Sequence, residues 1–299
     1  MKFKKIFAVL LASAMTVSML AACGNDSATN STAGNTSTGT SNTSTASEAG
    51  SSEEKLYDFV TLDESLADEL YGIAVKKDNT VLRDEIQNAL TEAIEDGSAA
   101  EIAEKWFGKD TIYVPEDSEK ITTDPNAKSD KDTIILGCDT NFAPMGFTEG
   151  GDEVKGFDID LAKLIIEEKM GKKLVVQPIT WANKEAELNA GKVDVLWNGL
   201  TITPERQEQM AFTDAYMQNK QVIVVPKDSD IKSAEDLNGK RIAMQKQSTA
   251  VDAYNDSGIK AETTELADNV ACLTELKQGR QDAVIMDSVV ADYYLSLTK

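Results

Sequence analysis

Histidine is absent from the 299 residues. Its absence removes histidine triads, histidine general bases and histidine-ligated zinc or copper sites from consideration. Cysteine is scarce: Cys23, Cys138 and Cys272 are all there are, too few for a disulfide framework or a cysteine-rich metal module. Positive charge is also short, with 30 Lys and Arg against 51 Asp and Glu and a formal net charge of −21. Such a surface repels phosphate backbones, so nucleic acid is not expected as a partner. After the first twenty or so residues no apolar run approaches the length that spans a bilayer. What is present, 41% hydrophobic and 27% charged residues, is ordinary globular material with enough chain for two lobes. No metal and no cofactor is expected.

The N-terminus has the layout of a secretory signal. Residues 1–22 begin MKFKK, continue through the apolar IFAVLL and stay small and apolar as far as Leu20-Ala21-Ala22-Cys23. The last four residues resemble a bacterial lipobox, which implies cleavage before Cys23 and acylation of its thiol. Membrane contact is then by lipid anchor alone, on the outer face of the cytoplasmic membrane. Beyond Cys23, residues 24–54 are Gly, Ser, Thr, Asn and Ala with a few acids, which cannot bury enough apolar surface to offset chain entropy. Residues 23–54 therefore read as the lipidated cysteine and its tether, spanning about 30 Å as a coil. So long a leash suits a single-membrane bacterium. Cys138 and Cys272 lie in apolar patterns far apart in sequence, and two buried free thiols are expected.

From residue 133 the pattern alternates strand and helix: strand 133–138, helix 159–170, strand 173–178, helix 184–190 and strand 193–198. A second series follows: strand 222–226, helix 234–237, strand 241–245, helices 250–255 and 270–277, strand 282–286 and helix 288–297. The expectation is a mostly parallel sheet in each unit. Asp158 is placed to cap the helix carrying Leu161, Leu164 and Ile165, with Gly171 closing it. Thr203 followed by Pro204 marks another helix start. The motif Leu188-x-x-Gly191-Lys192-x-Asp194 recurs 88 residues later as Leu276-x-x-Gly279-Arg280-x-Asp282, as two similar lobes require. Ligands of open α/β sheets sit beyond the carboxyl ends of strands, where Asp139, Asn198, Ser248 and Asp287 all fall.

The segments LGCDTNFAPMGFTEGGDEVKGFDID (136–160), GLTITPERQ (199–207), AFTDAY (211–216), QST (247–249) and DAVIMD (282–287) resemble the polar amino-acid family (family 3 type) of extracellular solute-binding proteins serving ABC importers. The resemblance implies an α/β, two-lobed periplasmic-binding-protein-like fold of type II, two α/β lobes joined by two hinge strands. It carries Asp139 and Phe142 over to the pocket loop, Thr201 and Arg206 to the T-x-x-x-x-R motif, Ser248 and Thr249 to the turn facing them, and Asp287 to the acid of the other lobe. Trp181 falls where the family has a pocket aromatic, and Asn198 and Gly199 precede the Thr201 motif. The partners implied are an amino acid and an ABC transporter permease, with a monomer expected.

The order of segments departs from that family. Residues 66–108 look like its closing segment, a crossover strand and two helices ending in Trp-Phe-Gly, yet here they come first. The expectation is a circular permutant. Lobe I comprises 76–108 plus 133–220 and lobe II 56–75 plus 222–299; 109–132 is the linker joining the family's usual termini, and the hinge strands lie near 72–77 and 220–226. Leu82, Ile86 and Leu90 line one helical face, and Ser98 with Glu101 reads as a capping box ahead of Ile102 and Trp106. The alternative is a detached helical domain over 55–115.

In the implied pocket, Arg206 offers a planar fork to an α-carboxylate, helped by Thr201 and by amides near Ser248 and Thr249. Asp287 faces the α-ammonium. Phe142 and Trp181 sandwich the side chain, with Asp139 at its far end. An acid there favours arginine, lysine or ornithine, with glutamine or cystine also admissible. The rival readings are a hydrolase or dehydratase using Asp139 and Asp287 as an acid–base pair, and a surface amino-acid sensor.

Overall fold

The computed structural model describes residues 57–297; the leader 1–22, Cys23 and the tether to residue 54 lie outside the described residues. The body opens with β1 (Phe59–Tyr71), β2 (Ala74–Lys76), α1 (Thr80–Glu95) and α2 (Ser98–Phe107). After the joining segment come β3 (Thr133–Cys138) and a small antiparallel ribbon of β4 (Asn141–Phe142), β5 (Gly146–Thr148) and β6 (Val154–Lys155). Next are α3 (Phe157–Ala162), β7 (Lys173–Pro178), α4 (Lys184–Asn189), β8 (Val195–Leu196), α5 (Pro204–Gln209), β9 (Met210–Phe212) and β10 (Met217–Pro226). The last part holds β11 (Arg241–Gln245), α6 (Thr249–Ser257), β12 (Glu262–Leu266), α7 (Asn269–Lys277), β13 (Ala283–Asp287) and α8 (Ser288–Ser296).

These strands form two five-stranded sheets, ordered β7-β3-β8-β2-β9 and β1-β10-β13-β11-β12. The expected parallel character holds for β7, β3 and β8 and for β12, β11 and β13. It fails for β2, β9, β10 and β1, which pair antiparallel. The chain crosses from one sheet to the other along β1 and β2 and returns along β9 and β10, so the two crossings run in opposite directions and β1 with β10, and β2 with β9, pair antiparallel. The two crossings, Tyr71 to Ala74 and Phe212 to Met217, run side by side. Tyr216 N–H donates to the Tyr71 carbonyl and Thr213 N–H to the Ile73 carbonyl, each at 2.9 Å, and Ile73 N–H donates to Thr213 Oγ1 at 3.0 Å.

The helical segment after β2 belongs to the first sheet. β2 lies between β8 and β9, and Leu82, Ile86 and Leu90 are buried against the same core as Ile134, Leu136 and Ile165. Each such side chain contributes about 1.5–3 kcal/mol by burial. A detached helical domain is therefore contradicted. Polar groups of α1 fasten the joining segment: Asp124 N–H donates to Asp84 at 3.0 Å and Ser129 N–H to Glu85 at 2.7 Å.

Several local expectations are corrected. The Ser98–Glu101 capping box does not form; Gly97, left-handed at φ 84°, precedes the helix and the Ser98 hydroxyl turns to Asp96. The helix placed at 159–170 begins at Phe157 and continues from Lys163 to Lys169 as a π-helix. The strand at 193–198 shrinks to Val195–Leu196, and the segment 234–237 is a single 3₁₀ turn over Glu235–Leu237. Polar β12 carries no apolar alternation and was not anticipated. Cys138 and Cys272 are buried free thiols, as expected, and the Thr203 hydroxyl accepts from Arg206 N–H at 3.2 Å as the helix-start signal requires.

The repeated motif is the same device twice. Gly191 and Gly279, at φ 71° and 69°, close α4 and α7 in a conformation that only glycine adopts freely. Asp194 then accepts from Ile135 N–H at 3.0 Å and donates its own N–H to the Ile135 carbonyl; Asp282 does both with Arg241. Each aspartate thus sets a buried strand in parallel register beside its neighbour.

Asp158 does not cap its helix; Gly156 precedes it and the carboxylate is fully buried. One oxygen accepts from Gly199 N–H at 2.7 Å and the other from the Tyr216 hydroxyl at 2.8 Å, tying α3 to the loop after β8 and to one crossing. Burial pushes its carboxyl up to about 7, against the hydrogen bonds that favour the anion. Because the folded pKa exceeds the unfolded one, the folded state binds more protons between about pH 4 and pH 7, and stability falls as pH rises through that window by up to about 4 kcal/mol. Asn at 158 keeps an acceptor for Gly199 and cannot ionise. Asp158→Asn is expected to lessen the fall in melting temperature between pH 5 and pH 8, measured by differential scanning calorimetry; an unchanged slope would contradict a titrating Asp158.

Candidate functional site

The residues predicted from sequence leave the ends of strands and converge where the two sheets face each other. Phe142, Trp181, Gly199, Thr201 and Arg206 come from the first lobe, and Ser248, Thr249 and Asp287 from the second. Together with Gln245 they line a cavity of about 10 Å³, the size of one water. A larger cleft of about 1230 Å³ meets it at Thr201, Arg206, Ser248 and Thr249. Two predicted residues are not in the cavity wall. Asn198 is buried behind it, accepting from Asp139 N–H at 2.9 Å. Asp139 accepts from Asn141 N–H at 3.0 Å and from the Gln245 amide at 2.7 Å, so its carboxylate is engaged across the lobes; burial raises its pKa.

Arg206 is half-buried, and its Nη1 donates to the Thr201 carbonyl at 2.9 Å. Burial lowers its pKa, opposed by the charges of Glu185, Glu69, Asp252 and Asp287. Asp287 lies at the end of β13 and accepts at one oxygen from the Tyr71 hydroxyl at 2.6 Å, Asn219 at 2.7 Å and Gln221 at 3.1 Å. Burial first and the Glu69 charge second push its carboxyl up. The Phe142 and Trp181 rings are near-parallel, 14° apart with centroids 6.5 Å from each other. Gly199 supports that wall. Its φ is 56°, and a Cβ there would stand 2.6 Å from Phe142 Cε1, so any side chain would displace the ring. The Ser248 hydroxyl donates to the Gln245 carbonyl at 2.8 Å, closing the turn before α6, while Thr249 Oγ1 lies 3.3 Å from Thr201 Oγ1 in the opposite lobe.

Four participants were missed. Lys184, 1% exposed, places its ammonium 5.0 Å from the Trp181 ring centroid, donates to the Gln247 carbonyl of the other lobe at 3.0 Å and pairs with Glu185. Burial and the Arg206 charge lower its pKa. At the head of an ordinary helix, nothing in the sequence marks it. Glu69, Asn219 and Gln221 surround Asp287: Glu69 accepts from Asn219 at 2.7 Å and from Gln221 at 3.1 Å. Their signal was available as strand periodicity, since Glu69 and Tyr71 share one face of β1, and Asn219 and Gln221 one face of β10. The arrangement joins a cationic corner at Arg206 to an anionic corner at Asp287 and Glu69, with an aromatic pair to one side, which suits capture of a small zwitterion.

Similarity to known proteins agrees with this geometry. The profile of the bacterial extracellular solute-binding proteins, family 3, matches residues 7–109 and 134–278. The arginine-binding extracellular protein ArtP of Bacillus subtilis is 31% identical over 177 residues, 58% of this chain and 68% of that one. The ABC transporter glutamine-binding protein GlnH of the same organism is 32% identical over 168 residues, 55% of this chain and 62% of that one. Among solved structures, the ancestral amino acid-binding protein AncCDT-1, a precursor of cyclohexadienyl dehydratase, superposes with a TM-score of 0.53 at 38% identity, covering 55% of this chain and 73% of that one. With two facing α/β lobes joined by two crossing strands, this chain has the type II periplasmic-binding-protein fold and belongs to the bacterial extracellular solute-binding proteins, family 3.

Proposed function

We propose that the protein captures a polar or basic α-amino acid between its lobes and delivers it to an ABC transporter, held at the membrane by a lipid on Cys23. The observation that carries this reading is the pairing of opposite charges in one cleft. Arg206 can grip a carboxylate with its fork, while Asp287 faces it from the other lobe. Binding of this kind returns the ligand unchanged, and the relatives are named for binding rather than turnover. An amino acid is far larger than the water-sized cavity, so entry requires the lobes to part about the two crossings and closure to follow. A basic side chain needs Asp139 to release Gln245; a glutamine-like side chain leaves that bond in place.

The order of segments supports a circular permutation of the family's chain. The family matches two blocks separated by residues 110–133, the joining segment. The body's first described residue also sits against its last helix, with the Tyr57 and Tyr294 rings 6.3 Å apart. Relocated ends are tolerated when the original ends lie close together.

Three outcomes follow for residues 24–299. In thermal unfolding against the twenty amino acids plus ornithine and cystine, a ligand at 100 times its Kd adds about 2.7 kcal/mol and raises the midpoint by several degrees; no shift with any of them would remove the amino-acid reading. Arg206→Ala should fold cooperatively yet lose about 100-fold or more in affinity for whichever amino acid gives the shift, and unchanged affinity would overturn Arg206 as the carboxylate receptor. Lys184→Met removes a charged hydrogen bond between lobes worth about 1.5–3 kcal/mol, so the ligand-free radius of gyration in small-angle scattering should rise. For the permutation, a chain reading 133–297, a short Gly-Ser linker and 57–108 should unfold in one transition with the same ligand shift, and failure to fold would argue against it.

A further inference from the structure

Among the described residues, Gln247 is the one non-glycine residue with a positive φ, 56°. The left-handed region crowds Cβ against the following carbonyl, and an ordinary residue persists there only when its surroundings hold it. Gln247 stands in the turn between β11 and α6. That turn is tied down on either side of it: Lys246 N–H donates to the Leu266 carbonyl and the Ser248 hydroxyl to the Gln245 carbonyl, each at 2.8 Å. The Gln247 side chain is exposed, and its carbonyl accepts from Lys184 of the opposite lobe at 3.0 Å. That lysine is 1% exposed, pairs with Glu185 at 3.0 Å and sets its ammonium 5.0 Å from the Trp181 ring centroid. An ammonium has three donors, and a carbonyl, a carboxylate and an aromatic face account for them. Lys184 is thus placed to hold protein, not ligand.

We propose that Lys184 is a positioning residue for ligand capture: from the first lobe it grips the Gln247 carbonyl and so holds the left-handed turn that presents Ser248 and Thr249 of the second lobe to the cleft. The Gln247 carbonyl and the Ser248 N–H belong to one planar peptide. A bond that fixes the first therefore fixes the second, which donates to the Gln245 carbonyl at 3.3 Å and closes the turn. Thr249 follows, its Oγ1 3.3 Å from Thr201 Oγ1 in the first lobe, and the Thr201 carbonyl in turn accepts from Arg206. The holder and the turn stand on opposite lobes, so the turn is completed only when the lobes meet. With the lobes parted, Lys184 no longer reaches Gln247 and the backbone relaxes out of the left-handed region. Closure then carries a conformational cost at Gln247 that the Lys184 bond offsets, and the two residues set affinity jointly, not additively.

The inference rests on the amino-acid reading for what is captured, and two measurements separate the two. In ligand-free residues 24–299 the NOE between the Gln247 amide and α protons, distinctly stronger at positive than at negative φ, should be strong, and it should weaken in Lys184→Met. A weak NOE in the unsubstituted protein, or an equally strong one in Lys184→Met, would overturn the proposal whether or not any amino acid binds. Calorimetry with L-arginine and L-glutamine should show Lys184→Met binding about 10-fold or more weakly. Adding Gln247→Gly should recover most of that loss, since glycine enters the left-handed region freely. A lysine that merely joins the lobes would leave the double variant as weak as Lys184→Met, and that result would overturn the positioning role. Gln247→Val keeps Lys184 but opposes a positive φ, and should by itself weaken binding about 10-fold; unchanged affinity there would also overturn the proposal. Failure of both amino acids to bind would count against the amino-acid reading, with the NOE still deciding the turn.

Discussion

The antiparallel pairing of β1 with β10 is the constraint on which the fold and the site both depend. It runs from Phe59 opposite Pro226 to Tyr71 opposite Met217 and ends where both strands leave for the other lobe. The same ladder therefore closes the second sheet and forms the two-stranded hinge. It also sets Glu69 opposite Asn219, which brings Glu69, Asn219 and Gln221 to the end of β13. A one-residue slip of β1 would turn Glu69 and Tyr71 to the wrong face, away from Asn219 and Gln221, which β13 holds in place. The anionic corner of the cleft is thus a product of strand register, not of a loop.

Against that corner the first lobe sets its cations. Arg206 and Lys184 approach the cleft from short helices, and both lose solvation as the lobes meet. In the interior each charge is expensive without a partner, and the contacts found are largely with the opposite lobe or with backbone: Lys184 with the Gln247 carbonyl, Asp139 with the Gln245 amide, Arg206 with the Thr201 carbonyl. In the proposed function a zwitterion takes over such contacts at both ends, the differential interaction by which a ligand stabilises closure. The neutral donors around Asp287 and the carbonyl under Arg206 can be exchanged without stranding a charge.

Much of this was legible in the sequence, and the parts that were not have identifiable causes. Strands β3 and β11 read directly because they are largely buried apolar runs between turn residues, and β7 through its short Leu-Val-Val run, while Arg206, Thr201 and Asp287 read through motifs at strand ends. The repeated Gly–basic–x–Asp signature turned out to specify one strand-entry device twice. Asp158 was misread because an acid at a helix start is usually a cap, and only the fold reveals that Gly199 and Tyr216 come to it from far away in sequence. Glu69 and Gln221 were overlooked because the hinge was read as structure alone; their i, i+2 spacing was visible, but the partner strand is about 150 residues distant. Lys184 carries no local signal, since its role exists only once the lobes face each other.

The central proposal is that one α-amino acid is held between the lobes, its carboxylate on Arg206 and its ammonium on Asp287. The most direct test is a crystal structure of residues 24–299 grown with an equimolar mixture of the twenty amino acids, which lets the protein choose its ligand. The account predicts density for one amino acid in the cleft with that polarity, flanked by Phe142 and Trp181. Density with the two ends reversed, or a ligand that touches neither Arg206 nor Asp287, would contradict it.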